Sequence, residues 1–182
     1  MREVYYHEDD YCQLELIVET NGLWCAEQMG LIDDFAAAHK AEVGWTDMYM
    51  RADNPTSLST LSISRTQFAS TMPSSMPPFD RVFTGYSTYR SECKRTIAFG
   101  PHESLVAYAE FDDNDVVSSV WFAFDLRSVD DVVVATELTA VLSNWPVLIA
   151  DWGWSKLIRP NEAEALTQYY NERVKVFGRT QT

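Results

Sequence analysis

The sequence predicts an α+β fold, a mainly antiparallel sheet of roughly six to eight strands with three or four helices packed on it. Three observations carry that expectation. Apolar residues make up 46% and aromatics 13% of 182 residues, enough large side chains to bury a core despite a net charge of −13. Period-two segments follow one another between residues 81 and 124. Stretches of helical period open near Asn21, Ser128 and Pro160, each at a residue suited to begin a helix. The length favours one domain, 1–182, interrupted by a Ser/Thr/Pro-rich loop excursion at about 54–78.

The elements can be justified in order. Val4 to Tyr6 and Tyr11 to Val18 read as a hairpin turning at His7-Glu8-Asp9-Asp10. In the second run Cys12, Leu14, Leu16 and Val18 alternate with Tyr11, Gln13, Glu15 and Ile17. From Asn21 the period lengthens: Cys25, Met29, Ile32 and Ala36 form a helical stripe that ends near His39 to Gly44. Trp45 to Arg51 reads as a short strand. Residues 54–78 hold 11 Ser or Thr and 4 Pro, which is loop composition, although Leu58, Leu61, Ile63 and Phe68 imply partial order and Ser64 to Ser70 a short helix.

Arg81 to Tyr86, Arg95 to Gly100, Leu105 to Phe111 and Val116 to Phe124 read as successive strands of one antiparallel meander, the last two joined by Asp112-Asp113-Asn114-Asp115. Ser128 with Asp131 resembles a capping box opening a helix to about Asn144, stopped by Pro146. Val147 to Ala150 is a buried strand. Pro160-Asn161 with Glu164 starts a last helix whose Ala163, Leu166, Tyr170, Val174 and Phe177 share a face.

Charge narrows the function classes. Residues 1–50 carry 11 acidic and 2 basic side chains and residues 96–155 carry 10 and 1, whereas the remaining segments are mildly basic. Such a pattern repels nucleic acid and anionic membrane and accelerates encounter with a basic partner. Cys12, Cys25 and Cys93 lie far apart without CxxC spacing, so neither a disulfide framework nor a zinc site is indicated, and a reducing cytoplasm is the expected setting. The acidic run from His7 breaks any signal-peptide apolar region near the start, and no apolar run reaches a membrane-spanning length.

Candidate chemistry is sparse. His7-Glu8-Asp9-Asp10 could bind a divalent metal or perform acid-base work, with His102 a further member of that alternative, but reads first as a solvated turn. Asp112-Asp113-Asn114-Asp115 lacks the EF-hand glycine and twelfth-position glutamate and reads as an acidic β-turn. Ser91-Glu92-Cys93-Lys94 fits SxxK without its SDN or KTG companions. No GxSxG, HExxH, P-loop or GxGxxG occurs, and no cofactor is expected. Asp151-Trp152-Gly153-Trp154 sets two indoles around a hinge beside an acid, the composition of an interface anchor with at least one ring facing solvent.

In overall character the chain resembles the small acidic immunity proteins that bacteria encode beside secreted antibacterial toxins. The resemblance rests on Tyr5-Tyr6-His7-Glu8-Asp9-Asp10-Tyr11, on the tip Asp112-Asp113-Asn114-Asp115 and on Asp151-Trp152-Gly153-Trp154. It implies a cytoplasmic, non-enzymatic inhibitor that occludes a basic toxin or enzyme domain. The surface would use Tyr6, Glu8, Asp9, Asp10 and Tyr11 from the first block, Asp112, Asp113 and Asp115 from the tip, and Asp151, Trp152 and Trp154. The alternatives are an interaction or structural module and a metal or acid-base enzyme centred on His7 to Asp10.

Overall fold

In a computed structural model, which describes residues 1–86 and 89–178, the strands are β1 (Glu3–Tyr5), β2 (Leu14–Val18), β3 (Arg81–Tyr86), β4 (Tyr89–Glu92), β5 (Thr96–His102), β6 (Leu105–Phe111), β7 (Val117–Phe124), β8 (Val147–Asp151) and β9 (Lys156–Ile158). The helices are α1 (Gly22–Ala38), α2 (Arg65–Thr71), α3 (Val129–Leu142) and α4 (Ala163–Phe177). The fold is α+β, as expected, and its strands pair antiparallel except for β1 with β3. Among the described residues no helix is long and apolar enough to cross a membrane.

Two sheets and two groups of helices form three layers. The large sheet runs β5-β6-β7-β2-β8-β9 and the small one β1-β3-β4. One face of the large sheet, with Leu14, Leu16, Phe122 and Ile149, packs on Phe68 of α2, Leu138 and Leu142 of α3, and Leu166 and Tyr170 of α4. The opposite face is shared. Ile17, Leu148 and Trp152 meet Cys25 and Met29 of α1, while Ala98, Val106, Tyr108 and Trp121 meet Val4 and Val82 of the small sheet.

The expected N-terminal hairpin is not formed. Every residue of β2 is buried, so the strand has two covered faces and takes an interior position between β7 and β8 rather than at an edge beside β1. Its regular backbone begins only at Leu14, because Cys12 adopts φ 55° and breaks extension. β1 instead pairs in parallel with β3, in the register Val4 to Val82. That pairing also removes β3 from the expected meander, which is continuous only through β5, β6 and β7. Within β5, Gly100 lies so close to the facing strand that a Cβ there would stand 2.2 Å from the Leu105 carbonyl oxygen, and the register shifts between Phe99 and His102.

Residues 54–78 are better ordered than their composition suggests. Leu58, Ile63, Phe68 and Met76 are buried, and the hydroxyls terminate short turns: Ser64 Oγ accepts from Gln67 N at 3.2 Å, and Thr71 Oγ1 donates to the Phe68 carbonyl at 2.7 Å. Helix α2 follows Ser64 as predicted. Trp45 to Arg51 is not a strand; a single bridge joins Lys40 to Trp45, and residues 42–48 are exposed. The capping box of α3 is present, with Asp131 N donating to Ser128 Oγ at 3.2 Å and Ser128 N to Asp131 Oδ2 at 3.0 Å.

Candidate functional site, an acidic and aromatic cleft

β2 pairs along its whole length with β8 but touches β7 in register only at Glu15 and Trp121. The start of β2 and the end of β7 therefore part, and a cleft of about 360 Å³ opens between them. Leu14, Trp121 and Phe122 line it where the strands part. Tyr6, His7 and Asp10 line one side, Asp151, Gly153 and Trp154 another, and Glu103 and Asp125 join from the turns flanking β6 and β7. Two segments some 140 residues apart in sequence thus face one space.

The wall carrying Asp151 is a buried polar network. Asp151 is 2% exposed, and its Oδ2 accepts from Tyr169 OH at 2.7 Å and from Arg173 Nη2 at 2.7 Å. Arg173 Nε donates to Tyr169 OH at 2.6 Å, and Nη1 donates to the Phe124 carbonyl at 2.9 Å. Burial alone would favour a neutral Arg173, but Tyr169 and Asp151 outweigh it and strengthen its hold on the proton. Burial pushes the Tyr169 phenol upward. Asp151 Oδ1 accepts from Trp154 N at 3.1 Å and so shapes the Gly153 turn. The placement of Asp151 as a surface acid is therefore corrected: a residue closing a strand between buried neighbours needs an internal cation, and α4 supplies it.

The two tryptophans differ. Trp152 is 6% exposed; its Nε1 donates to Glu15 Oε1 at 2.8 Å, the Arg51 guanidinium lies 4.2 Å from its ring centroid, and Trp24 meets it edge-on. Trp152 continues the alternation of Leu148 and Ala150 onto the α1 face, which makes it core rather than anchor. Trp154 is half-buried, with Tyr169 edge-on at 5.8 Å, Arg173 at 4.8 Å and Lys156 at 5.9 Å from its ring. It is the indole that Gly153 leaves partly in solvent. Beneath Trp152, desolvation raises the Glu15 carboxyl, and Arg51, 2.9 Å away, counters that rise only in part.

On the other side, Trp121 is enclosed by rings: Tyr108 stacks at 5.2 Å, and Tyr6 and Tyr11 meet it edge-on at 5.2 and 4.8 Å. Among the described residues, Trp121 Nε1 is the buried side-chain polar atom that lacks a hydrogen-bond partner. Tyr11 OH donates to Glu110 Oε2 at 3.1 Å. Burial raises the phenols of Tyr6, Tyr11 and Tyr108, so all three remain protonated at neutral pH. Asp10, Glu103 and Asp125 form no ion pair among the described residues. Three uncompensated carboxylates beside aromatic faces suit a guanidinium or an ammonium.

The remaining candidates lie elsewhere. Glu8 and Asp9 are exposed on the 3-10 turn Glu8–Asp10, outside the lining. The tip joins β6 to β7 at the end opposite Glu103 and Asp125 and is not part of the cleft lining, although Tyr108, four residues before Asp112, is. Its carboxylates are engaged locally: Asp112 Oδ1 accepts from Asn114 N and Val116 N, Asp113 pairs with Arg95 at 2.6 Å, and Asp115 with Arg65 at 2.7 Å. His102 does not join His7; its Nε2 lies 2.9 Å from Asp131 Oδ1. Among the described residues no three His, Cys, Asp or Glu side chains converge as a metal site. Glu103, Asp125 and Arg173 were not singled out from the sequence. Arg173 alone carried a readable signal, since it falls on the buried face of α4 one turn after Tyr169 and there requires an anion.

Fold and cleft together define an α+β protein with a recess lined by acidic and aromatic side chains at the point where two central strands part. No protein-family model, curated protein or solved structure matches the chain.

Proposed function

We infer that the chain is an acidic protein-binding inhibitor of the immunity type, which docks a basic protein and occludes it. The observation that carries this reading is the meeting of Tyr6 and Asp10 with Trp154 in one cleft that also holds the unpaired carboxylates of Glu103 and Asp125. An arginine or lysine of the partner enters there, its charge met by the carboxylates and its stem or plane by the rings. The two strongly acidic windows of sequence steer the encounter.

The test is co-expression in bacteria with the product of the neighbouring gene. The expected result is growth inhibition by that product, relieved by this chain and not by an Asp10→Asn, Glu103→Gln, Asp125→Asn variant that melts normally. A neighbour whose toxicity the chain leaves untouched, or relief that the triple variant preserves, removes the reading.

A further inference from the structure

The segment between α1 and Arg51 turns Tyr49 and Arg51 inward and leaves its other large side chains in solvent. Val43, Trp45, Met48 and Met50 are 91%, 66%, 80% and 87% exposed. Tyr49 and Arg51 face the protein: Tyr49 OH donates to Gln28 Oε1 at 3.3 Å and its ring lies 5.5 Å from Phe35, while Arg51 pairs with buried Glu15. The segment is tied at its start as well, where Thr46 N donates to the His39 carbonyl at 2.9 Å. It is thus a strap fastened at both ends. A surface that offers methionines and an indole to water in this way is that of an adaptable docking site.

The strap adjoins the cleft. Tyr11, Gln13, Tyr49 and Arg51 line a shallow pocket of about 170 Å³, and Gln13 also lines the cleft. The surroundings are acidic: Glu42 and Asp47 are exposed on the strap and Glu27 and Asp34 on α1, against Lys40 and an Arg51 already paired with Glu15. Resting on the inhibitor reading above, we propose that the strap is the second half of the docking face and receives an apolar knob flanked by lysine or arginine on the basic partner. A second copy of this chain is the poorer occupant, because a symmetric contact would set like charges against each other.

The experiment selects random peptides of about twelve residues on the immobilised full chain and measures the affinity of the recovered peptides for three forms. These are the wild type, a Trp45→Ser, Met48→Ser, Met50→Ser strap variant, and the cleft variant above, with melting temperatures confirming the fold. The expected peptides combine Lys or Arg with an aromatic or long aliphatic residue, and the strap variant binds them at least about tenfold more weakly. Basic peptides that bind the strap variant unchanged but fail on the cleft variant overturn the strap inference and leave the inhibitor reading standing. Recovery of neutral or acidic peptides, or of none, overturns both. Sedimentation showing a wild-type dimer that the strap variant loses assigns the face to a second copy and overturns the proposed occupant.

Discussion

Trp152 and Trp154, two residues apart, should respond to mutation in opposite ways. Trp152→Ala removes a buried indole together with the hydrogen bond to Glu15, and should cost about 3–5 kcal/mol of stability, read as a shift in denaturant midpoint. Trp154→Ala should cost clearly less, while weakening partner binding by about 2 kcal/mol, roughly thirty-fold. Equal losses of stability in both would assign Trp154 to the core. The buried Asp151 and Arg173 pair offers a second test at this scale. Asp151→Ala or Arg173→Leu alone strands the opposite charge and should cost about 3–5 kcal/mol, whereas the double variant should lose much less than the sum. Additive losses would mean that the two charges are solvated independently.

Element-scale behaviour is clearest in α3. Burial alone would raise the Asp131 carboxyl, but N–H groups of Arg127 and Ser128 and the His102 ring hold it below the usual carboxylate range. A depressed carboxyl contributes stability above its unfolded value of about 4, and that contribution fades as pH falls through the folded value. Asp131→Ala should therefore destabilise by about 1–2 kcal/mol at neutral pH and by progressively less in acid. A deficit unchanged down to the acid transition would show that the side chain acts by packing alone. The capping box, α1, α2 and the β5 to β7 meander were legible in the sequence because caps and periods are local. The partners of β1 and β2 were not, since pairing over more than 70 residues leaves no local trace. The cleft was half legible: Tyr6, Asp10 and Trp154 stand in conspicuous runs, while Glu103, Asp125 and Arg173 occur singly in separate elements.

For the whole molecule, a net charge of −13 makes association with a basic partner a matter of long-range attraction. Raising ionic strength from low to physiological should slow the on-rate much more than it speeds dissociation, as stopped-flow measurements would show; an on-rate indifferent to salt would confine the charge to solubility. The interior position of β2 has a different consequence, for biosynthesis. The bond from Trp152 to Glu15 spans 137 residues, so a strand that is buried on both faces in the folded protein emerges from the ribosome long before β7 and β8 can flank it. At roughly 5–20 residues per second that interval is on the order of ten seconds, during which the nascent chain offers an unpaired apolar strand to any neighbour. Fragments ending before β8 should therefore fail to accumulate in folded form, as expression of truncated chains would show.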